Sequence, residues 1–245
     1  MRTLLLILLL GTCARAPLFA QPDAPAPTVE ELSLTAYLSN DGDDWAKATA
    51  AAAELPATPA DQLRAAKAYF GAATNALVKK DDRLDDYLDG LETALNAVLE
   101  ADDRHPTATG LYSGYLGLLI AQTPMKGMMY GRKSAKYAAN GVKYDATDAL
   151  AHYFRASNLY YTPENWGGDP AAAVRHLQKA VKLFPAGTDG SDWLYLQTHA
   201  LLGQALTKTG DRAAARATYE LALQLRPDFG YVRNVLLPQL DKNGK

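Results

Sequence analysis

A spacing of roughly 40 residues recurs along this chain and limits the folds open to it. In each of four sets, a small residue is followed four positions later by a bulkier or second small residue. Another small residue comes three positions after that, and a position that ends the helix comes five positions further. The sets are Ala94/Val98/Ala101/Pro106, Ser134/Ala138/Gly141/Ala146, Ala173/Leu177/Ala180/Pro185 and Ala215/Tyr219/Ala222/Pro227. Their first members are almost evenly spaced along the chain. Repetition at this period predicts a solenoid of helical hairpins.

The local signals agree with an all-α fold. Ala, Leu, Lys and Glu dominate the segments between turns, and no alternating Val, Ile or Thr run is long enough for a strand. Thr28 with Glu31 predicts a capped helix start, as do Thr58-Pro59 and Asp169-Pro170. The predicted helices are 29–38, 43–55, 59–79, 82–102, 107–122, 127–143, 147–161, 170–184, 191–209, 211–225 and 229–239.

The beginning of the chain predicts an export signal. Met1-Arg2 is followed by an apolar run from Leu4 to Leu10, and Ala20 precedes a plausible cleavage point. The alternative is a lipoprotein signal with Cys13 as the modified residue. The expected domains are a signal peptide at 1–20, a Pro-rich linker at 21–27, an N-terminal helical cap at 28–57, a helical repeat domain at 58–240 and a tail at 241–245.

The amino-acid composition of the chain after Ala20 argues against some classes of function. Without Arg2 and Arg15, 23 basic residues face 27 acidic ones, a net charge of −4. This mild acidity argues against a nucleic-acid partner, which needs a concentrated basic face. The single cysteine lies in the signal, and no second apolar segment is long enough to span a membrane. We therefore expect an exported protein of the periplasm or cell envelope.

Residues 196–229 resemble a tetratricopeptide repeat (TPR). The resemblance rests on Leu202-Gly203 in the first helix, Gly210-Asp211 in the turn, and Ala215, Tyr219, Ala222 and Pro227 in the second helix. His199 and Leu206 depart from the family pattern, which prefers Trp and Tyr there. The units around 112–146 and 149–185 resemble the same repeat, with a longer connection between their helices.

The resemblance implies a right-handed superhelical solenoid of about four repeats plus an N-terminal cap, acting as a protein-interaction or scaffolding module. A protein or peptide partner would then be held without bond chemistry. The loop Trp166-Gly167-Gly168-Asp169 is similar to a turn in bacterial envelope repeat proteins, some of them associated with solute uptake. The alternative function is therefore binding of a small ligand or solute for envelope uptake.

Two surfaces are candidate binding sites. In the family, the first helix of each hairpin lines the inner curve of the superhelix, which would place there Tyr153, Ser157, Tyr160, Tyr161, Gln204 and Lys208. The carboxylate clamp found in some members is not matched at Tyr153/Ser157 or Ala200/Gln204, so a peptide C-terminus is not the expected ligand.

The second candidate surface is formed by the two lengthened turns. Thr123-Pro124 and Thr162-Pro163 occupy equivalent places in successive units, so both turns should emerge on one edge. The candidate binding residues there are Met125, Met128, Met129, Asn165 and Trp166. The alternative is that the apolar side chains fold back and seal the hairpins.

No residue pattern argues for an enzyme. Asp81, Asp82 and Asp85 match a DDxxD motif for magnesium and diphosphate, but an acidic helix start is the expected explanation. The four histidines have no metal-binding spacing, and no nucleophile elbow or phosphate loop occurs. No metal and no cofactor is predicted.

Overall fold

The computed structural model describes residues 25–242, so the predicted signal peptide, its cleavage point and Cys13 lie outside the described residues. Between 25 and 242 every regular element is helical. The α-helices are α1 (Val29–Ser39), α2 (Gly42–Ala53), α3 (Pro59–Lys79), α4 (Leu84–Ala101), α5 (Pro106–Gln122), α6 (Gly127–Tyr144), α7 (Ala149–Tyr161), α8 (Pro170–Leu183), α9 (Trp193–Lys208), α10 (Arg212–Leu225) and α11 (Leu237–Lys242).

Helix boundaries follow the predicted caps. The Thr28 hydroxyl accepts a hydrogen bond from the Glu31 amide while Glu31 reaches back to Thr28, which completes the capping box. Asp169 accepts from the Ala172 amide at 2.8 Å and starts α8 after the second lengthened turn. One difference is the predicted helix at 229–239, where Val232–Leu236 form a π-helical turn before α11.

The small residues of the repeat are buried, as the solenoid requires. Ala173, Ala180, Ala215 and Ala222 have no exposed surface, so the two helices of a hairpin approach closely at these positions. In the last hairpin, a Cβ atom on Gly203 would lie 2.2 Å from the Tyr219 ring. Gly203 is therefore the residue that lets α9 and α10 pack with Tyr219 between them.

The first set departs from this pattern. Ala101 is exposed at the last residue of α4, whereas Ala94 and Val98 are buried. The end of α4 therefore does not pack as the equivalent turns of α8 and α10 do.

The inner side of the array is filled by aromatic rings. Phe70 of α3 meets Phe154 of α7 edge-on, with ring centroids 5.3 Å apart. Trp45 of α2 meets Trp193 of α9 at 5.5 Å and 77°. Helices far apart in sequence therefore share one core, and the N-terminal cap is part of it.

Helix α1 also reaches α9. The Tyr37 ring lies 5.5 Å from Trp193 and 5.4 Å from Phe229, and its hydroxyl donates to the Gln197 Oε1 at 2.7 Å. These contacts close one end of the inner face and bound the site described next.

Candidate functional site

Four of the six inner-face residues lie together beyond the end closed by α1. The Tyr160 and Tyr161 rings meet edge-on at 4.9 Å. Lys208 donates to the Tyr160 carbonyl at 3.3 Å, with its Nζ 5.0 Å from the Tyr160 ring centroid. Gln204 donates to the hydroxyl of Tyr231, a residue that the sequence did not single out, at 2.9 Å. We call Tyr160, Tyr161, Gln204, Lys208 and Tyr231 the tyrosine groove.

Tyr161 is the accessible ring of this groove. Its side chain is 64% exposed, yet the surrounding protein raises the pKa of its hydroxyl well above the usual value by desolvation. The ring is therefore open to solvent, while neighbouring protein desolvates its hydroxyl. The tyrosine groove offers hydroxyl, amide and ammonium groups beside aromatic faces.

The other two inner-face residues are placed differently. Tyr153 is buried beside Phe154, with ring centroids 4.9 Å apart, and burial raises the pKa of its hydroxyl to about 12. Its side chain belongs to the interior and supports the groove from beneath. Ser157 is half-buried on α7.

The turn between α7 and α8 is built by its glycines. Gly167 has φ +96°, a conformation that favours glycine. A Cβ on Gly168 would lie 1.8 Å from the Thr162 carbonyl oxygen, so the chain crosses itself closely there. This crossing presents Trp166 outward with 63% of its surface exposed, beside exposed Asn165.

The connection from α5 to α6 and the first turn of α6 carry three exposed methionines. Met125, Met128 and Met129 are 84%, 84% and 72% exposed. The apolar side chains therefore do not fold back to seal the hairpins, in either turn. We call Met125, Met128, Met129, Asn165 and Trp166 the inserted edge.

The acidic motif before α4 pairs with a neighbouring arginine. Arg83 pairs with Asp81 at 2.5 Å and with Asp43 at 3.1 Å. The hydrogen bonds from Arg83 lower the pKa of Asp81 to about 2. Because α4 begins at Leu84, Asp81 and Asp82 precede the helix and do not share a helical face with Asp85.

Two histidines that are separated in sequence meet between α7 and α8. The Nδ1 atoms of His152 and His176 are 2.8 Å apart, and Nε2 of His152 lies 3.2 Å from the Ala146 carbonyl oxygen. Since a carbonyl only accepts, His152 carries its proton on Nε2 and accepts from His176 Nδ1–H. In residues 25–242, no group of three or more His, Cys, Asp or Glu is arranged to hold a metal ion.

A search of family models matches residues 196–229 to the tetratricopeptide repeat. The chain contains a tetratricopeptide repeat. The matched repeat consists of α9 from Leu196 and the whole of α10, and it ends at the buried Phe229. Its two departures from the family pattern, His199 and Leu206, are both buried within the repeat.

The helical array extends beyond the matched repeat. The solved structure titled "HusA haemophore from Porphyromonas gingivalis" is similar over 74% of this chain and 92% of that chain, with a TM-score of 0.58 and 18% identity. A likeness at this identity describes the fold alone. The comparison with curated proteins gives no match.

TPR repeats mediate protein interactions, so the matched repeat supports a general role in protein interaction or scaffolding. Within residues 25–242, no helix combines the length and apolar character needed to cross a bilayer.

Proposed function

We propose that this protein is a non-catalytic binding or scaffolding module of the bacterial cell envelope, and that a partner protein docks on the inserted edge. The observation that carries the proposal is the exposure of four large apolar side chains, Met125, Met128, Met129 and Trp166, in or directly after two equivalent turns. Exposed apolar groups clustered on one surface are typical of interaction sites.

The residue types at the inserted edge suit protein recognition. Methionine is flexible and polarizable, and it adapts to the shape of a partner. Tryptophan is among the residues that contribute most to interface energies. Hydrogen bonds from the Trp166 and Gly168 amides to the Pro163 carbonyl, at 2.9 and 3.1 Å, hold the turn in front of α8, so little backbone freedom is lost when Trp166 is covered.

Export is part of the same proposal. It rests on the predicted signal peptide at 1–20 and on the similarity of the Gly-Gly-Asp turn to turns of envelope proteins. The test is therefore made on native envelope extract and not on whole-cell lysate.

The first prediction concerns Trp166→Ala. If Trp166 anchors the partner, the variant should weaken binding by about 2 kcal/mol, roughly 30-fold. Affinity capture with the purified protein as bait, followed by titration of the recovered partner, measures this change. The control is Leu221→Ala, which truncates a 42% exposed apolar residue in the second half of α10 and should recover the same partner as the parent. Recovery of identical proteins by the Trp166→Ala bait would contradict docking on this edge.

A second candidate function is small-ligand binding in the tyrosine groove for envelope uptake. The observation that favours it is Tyr161, which is 64% exposed and whose ring meets Tyr160 edge-on. Because the similar structure is titled a haemophore, haemin is the ligand to test. A tyrosine oxygen is a known axial ligand of haem iron.

We expect haemin to give a saturable change in the Soret absorbance of the parent protein. Tyr161→Phe removes the oxygen and should lower the affinity at least about tenfold, with loss of the ligand-dependent spectral shift. Tyr144→Phe is the control, since Tyr144 lies on α6 outside the groove. No saturable change, or equal effects of the two variants, would rule out this second function.

A further inference from the structure

Positive charge is concentrated on α6. From Thr123 to Tyr144 the chain contains five basic residues and no acidic one, although the whole chain has a formal net charge of −2. The basic residues are Lys126, Arg132, Lys133, Lys136 and Lys143. A local basic surface on an acidic protein indicates an anionic ligand or partner.

Part of this basic surface forms one wall of a groove. Lys133, Lys136, Tyr137, Asn140, Lys143 and Tyr144 follow one another at helical spacing along α6. Facing them are Leu99 at the end of α4 and Asp103 and Arg104 in the following turn, with Thr109 of α5 as the floor. We call this the α6 groove.

The α6 groove consists of two connected hollows of about 550 and 410 Å³. They share Lys136, Asn140 and Tyr144. The larger hollow adds Arg104 and Lys143 and is the more positive end. The smaller one adds the apolar and aromatic side chains of Leu99 and Tyr137, together with Thr109 and the oppositely charged Asp103 and Lys133.

The cations of the groove have no anionic partners in the described part of the chain. Arg104, Lys133, Lys136 and Lys143 form no ion pair with any of residues 25–242, whereas Arg64 pairs with two carboxylates. Lys143 lies in the last turn of α6, where the helix dipole favours cations, and Arg104 lies in the turn after α4. Lys133 and Lys136 lie further inside α6 and have no such support. A bound anion would therefore meet cations that no ion pair within residues 25–242 already engages.

Aromatic rings hold two of these cations in place. The Lys133 ammonium lies 5.3 Å from the ring centroid of Tyr112, which stacks on Tyr137 at 4.7 Å. The Arg104 guanidinium lies 6.0 Å from the ring centroid of Tyr144. Charge and ring are thus presented together along the groove.

The floor contains an unused hydrogen-bonding group. Thr109 is 2% exposed, and its hydroxyl has no hydrogen-bond partner among the described residues. Buried Thr49 and Thr198 bond the carbonyl four residues back, at 3.1 and 2.7 Å. Buried Thr107 donates to the Asp148 carboxylate. A buried hydroxyl left without a partner destabilises the fold, which is consistent with a role in holding a ligand.

We propose that the α6 groove binds a soluble organic phosphate with a ring-shaped body. The phosphate lies at the positive end, where Arg104, Lys136 and Lys143 supply charge and the Asn140 amide donates a hydrogen bond. The ring packs on Tyr137 and Leu99 above the Thr109 hydroxyl. This site is separate from the inserted edge and from the tyrosine groove, so it goes beyond the proposed function.

The test uses phenyl phosphate as the probe, titrated into the full exported chain at low salt and followed by amide NMR shifts. We expect saturable shifts centred on Thr109, Tyr137 and Asn140, with a Kd of about 1 mM or tighter. Inorganic phosphate lacks the ring and phenol lacks the charge, so each should bind more weakly. Absence of a saturable shift would overturn the proposal, as would binding of phenyl phosphate no tighter than that of inorganic phosphate.

The matched variants separate a site from general attraction. Lys136→Gln with Lys143→Gln removes two charges from the groove and should weaken phenyl phosphate binding about tenfold or more. Arg175→Gln with Lys182→Gln removes the charges at the equivalent positions of α8, one repeat later. That control should leave the affinity within about a factor of two. An equal loss of affinity in both double variants would mean that phenyl phosphate is attracted by charge alone and is not bound in the groove.

Thr109→Val tests the floor with two readouts. It keeps the side-chain shape and removes the unpartnered hydroxyl, so the melting temperature should rise while the affinity for phenyl phosphate falls. If Thr109 had only a structural role, the melting temperature and the affinity would not change in opposite directions. Unchanged affinity in this variant would overturn the placement of the ligand over Thr109.

The last measurement uses vesicles that contain phosphatidic acid. If the protein binds these vesicles but does not bind phenyl phosphate, the assignment of the groove to a soluble ligand is overturned.

Discussion

We expect Trp45→Ala to lower the free energy of unfolding by about 3–5 kcal/mol, the usual cost of removing a buried tryptophan. Trp45 is 2% exposed and meets Trp193 of α9 edge-on at 5.5 Å. Its ring also lies against α3, since a Cβ on Gly71 would be 2.1 Å from it. Gly71 has no side chain that could move into the cavity, so the cost is not relieved by repacking.

The same contact joins the first hairpin to the α9–α10 hairpin. Stacked repeats are normally stabilised by neighbouring units alone, whereas Trp45 and Tyr37 connect the N-terminal cap directly to α9. Chemical denaturation should therefore give one transition for the parent protein and an earlier, broader one for Trp45→Ala.

The matched control is Trp166→Ala, which makes the identical substitution at a residue with 63% exposure. It should change stability by no more than about 0.5 kcal/mol, as surface substitutions do. A similar loss in both variants would mean that the cap does not depend on its contact with α9.

Local signals in the sequence are sufficient to predict the helices. The capping residues Thr28, Thr58 and Asp169 start helices as expected, because a cap is satisfied by amides two or three residues away. The small residues of the last two sets are buried because their spacing encodes the packed face directly. Both features depend on short stretches of chain.

Features that depend on the curvature of the array do not follow from the sequence. Tyr153 is expected on the inner surface but lies in the interior, since α1 and α3 bring rings onto that side. The contact of Tyr37 with Gln197 joins residues 160 positions apart, for which no periodic pattern exists. The sequence predicts the place of the inserted edge, but whether its side chains face solvent depends on the turn that Gly168 permits.

The α6 groove has one visible signal in the sequence, the absence of any acidic residue from Thr123 to Tyr144. That signal predicts a positively charged surface, but it does not predict a cavity. The groove also needs the exposed end of α4 and the buried Thr109 of the next helix. These come from separate elements whose relative placement only the fold supplies.

The last prediction is that the protein loses stability in mild acid through His199. This residue is 1% exposed, neither of its ring nitrogens has a hydrogen-bond partner within residues 25–242, and burial lowers its pKa to about 4. In the unfolded chain the pKa returns to about 6.5, so the unfolded state takes up the proton more readily. The contribution of His199 is therefore complete above that pH. It falls by about 2 kcal/mol at pH 5 and about 3 kcal/mol at pH 4.

His199→Leu isolates this contribution, because it keeps a side chain of similar size on the Tyr195 ring and removes the titrating group. Carboxylates with lowered pKa values, such as Asp81 and Asp61, titrate below this range in both proteins and cancel in the comparison. The His152–His176 pair also cancels, although its own lowered pKa values add to the acid loss of each protein. Urea unfolding at pH 7 and pH 5 should thus show a smaller decrease for His199→Leu than for the parent. Equal decreases would place the acid sensitivity outside the last repeat, since His199 is the only histidine in α9 and α10.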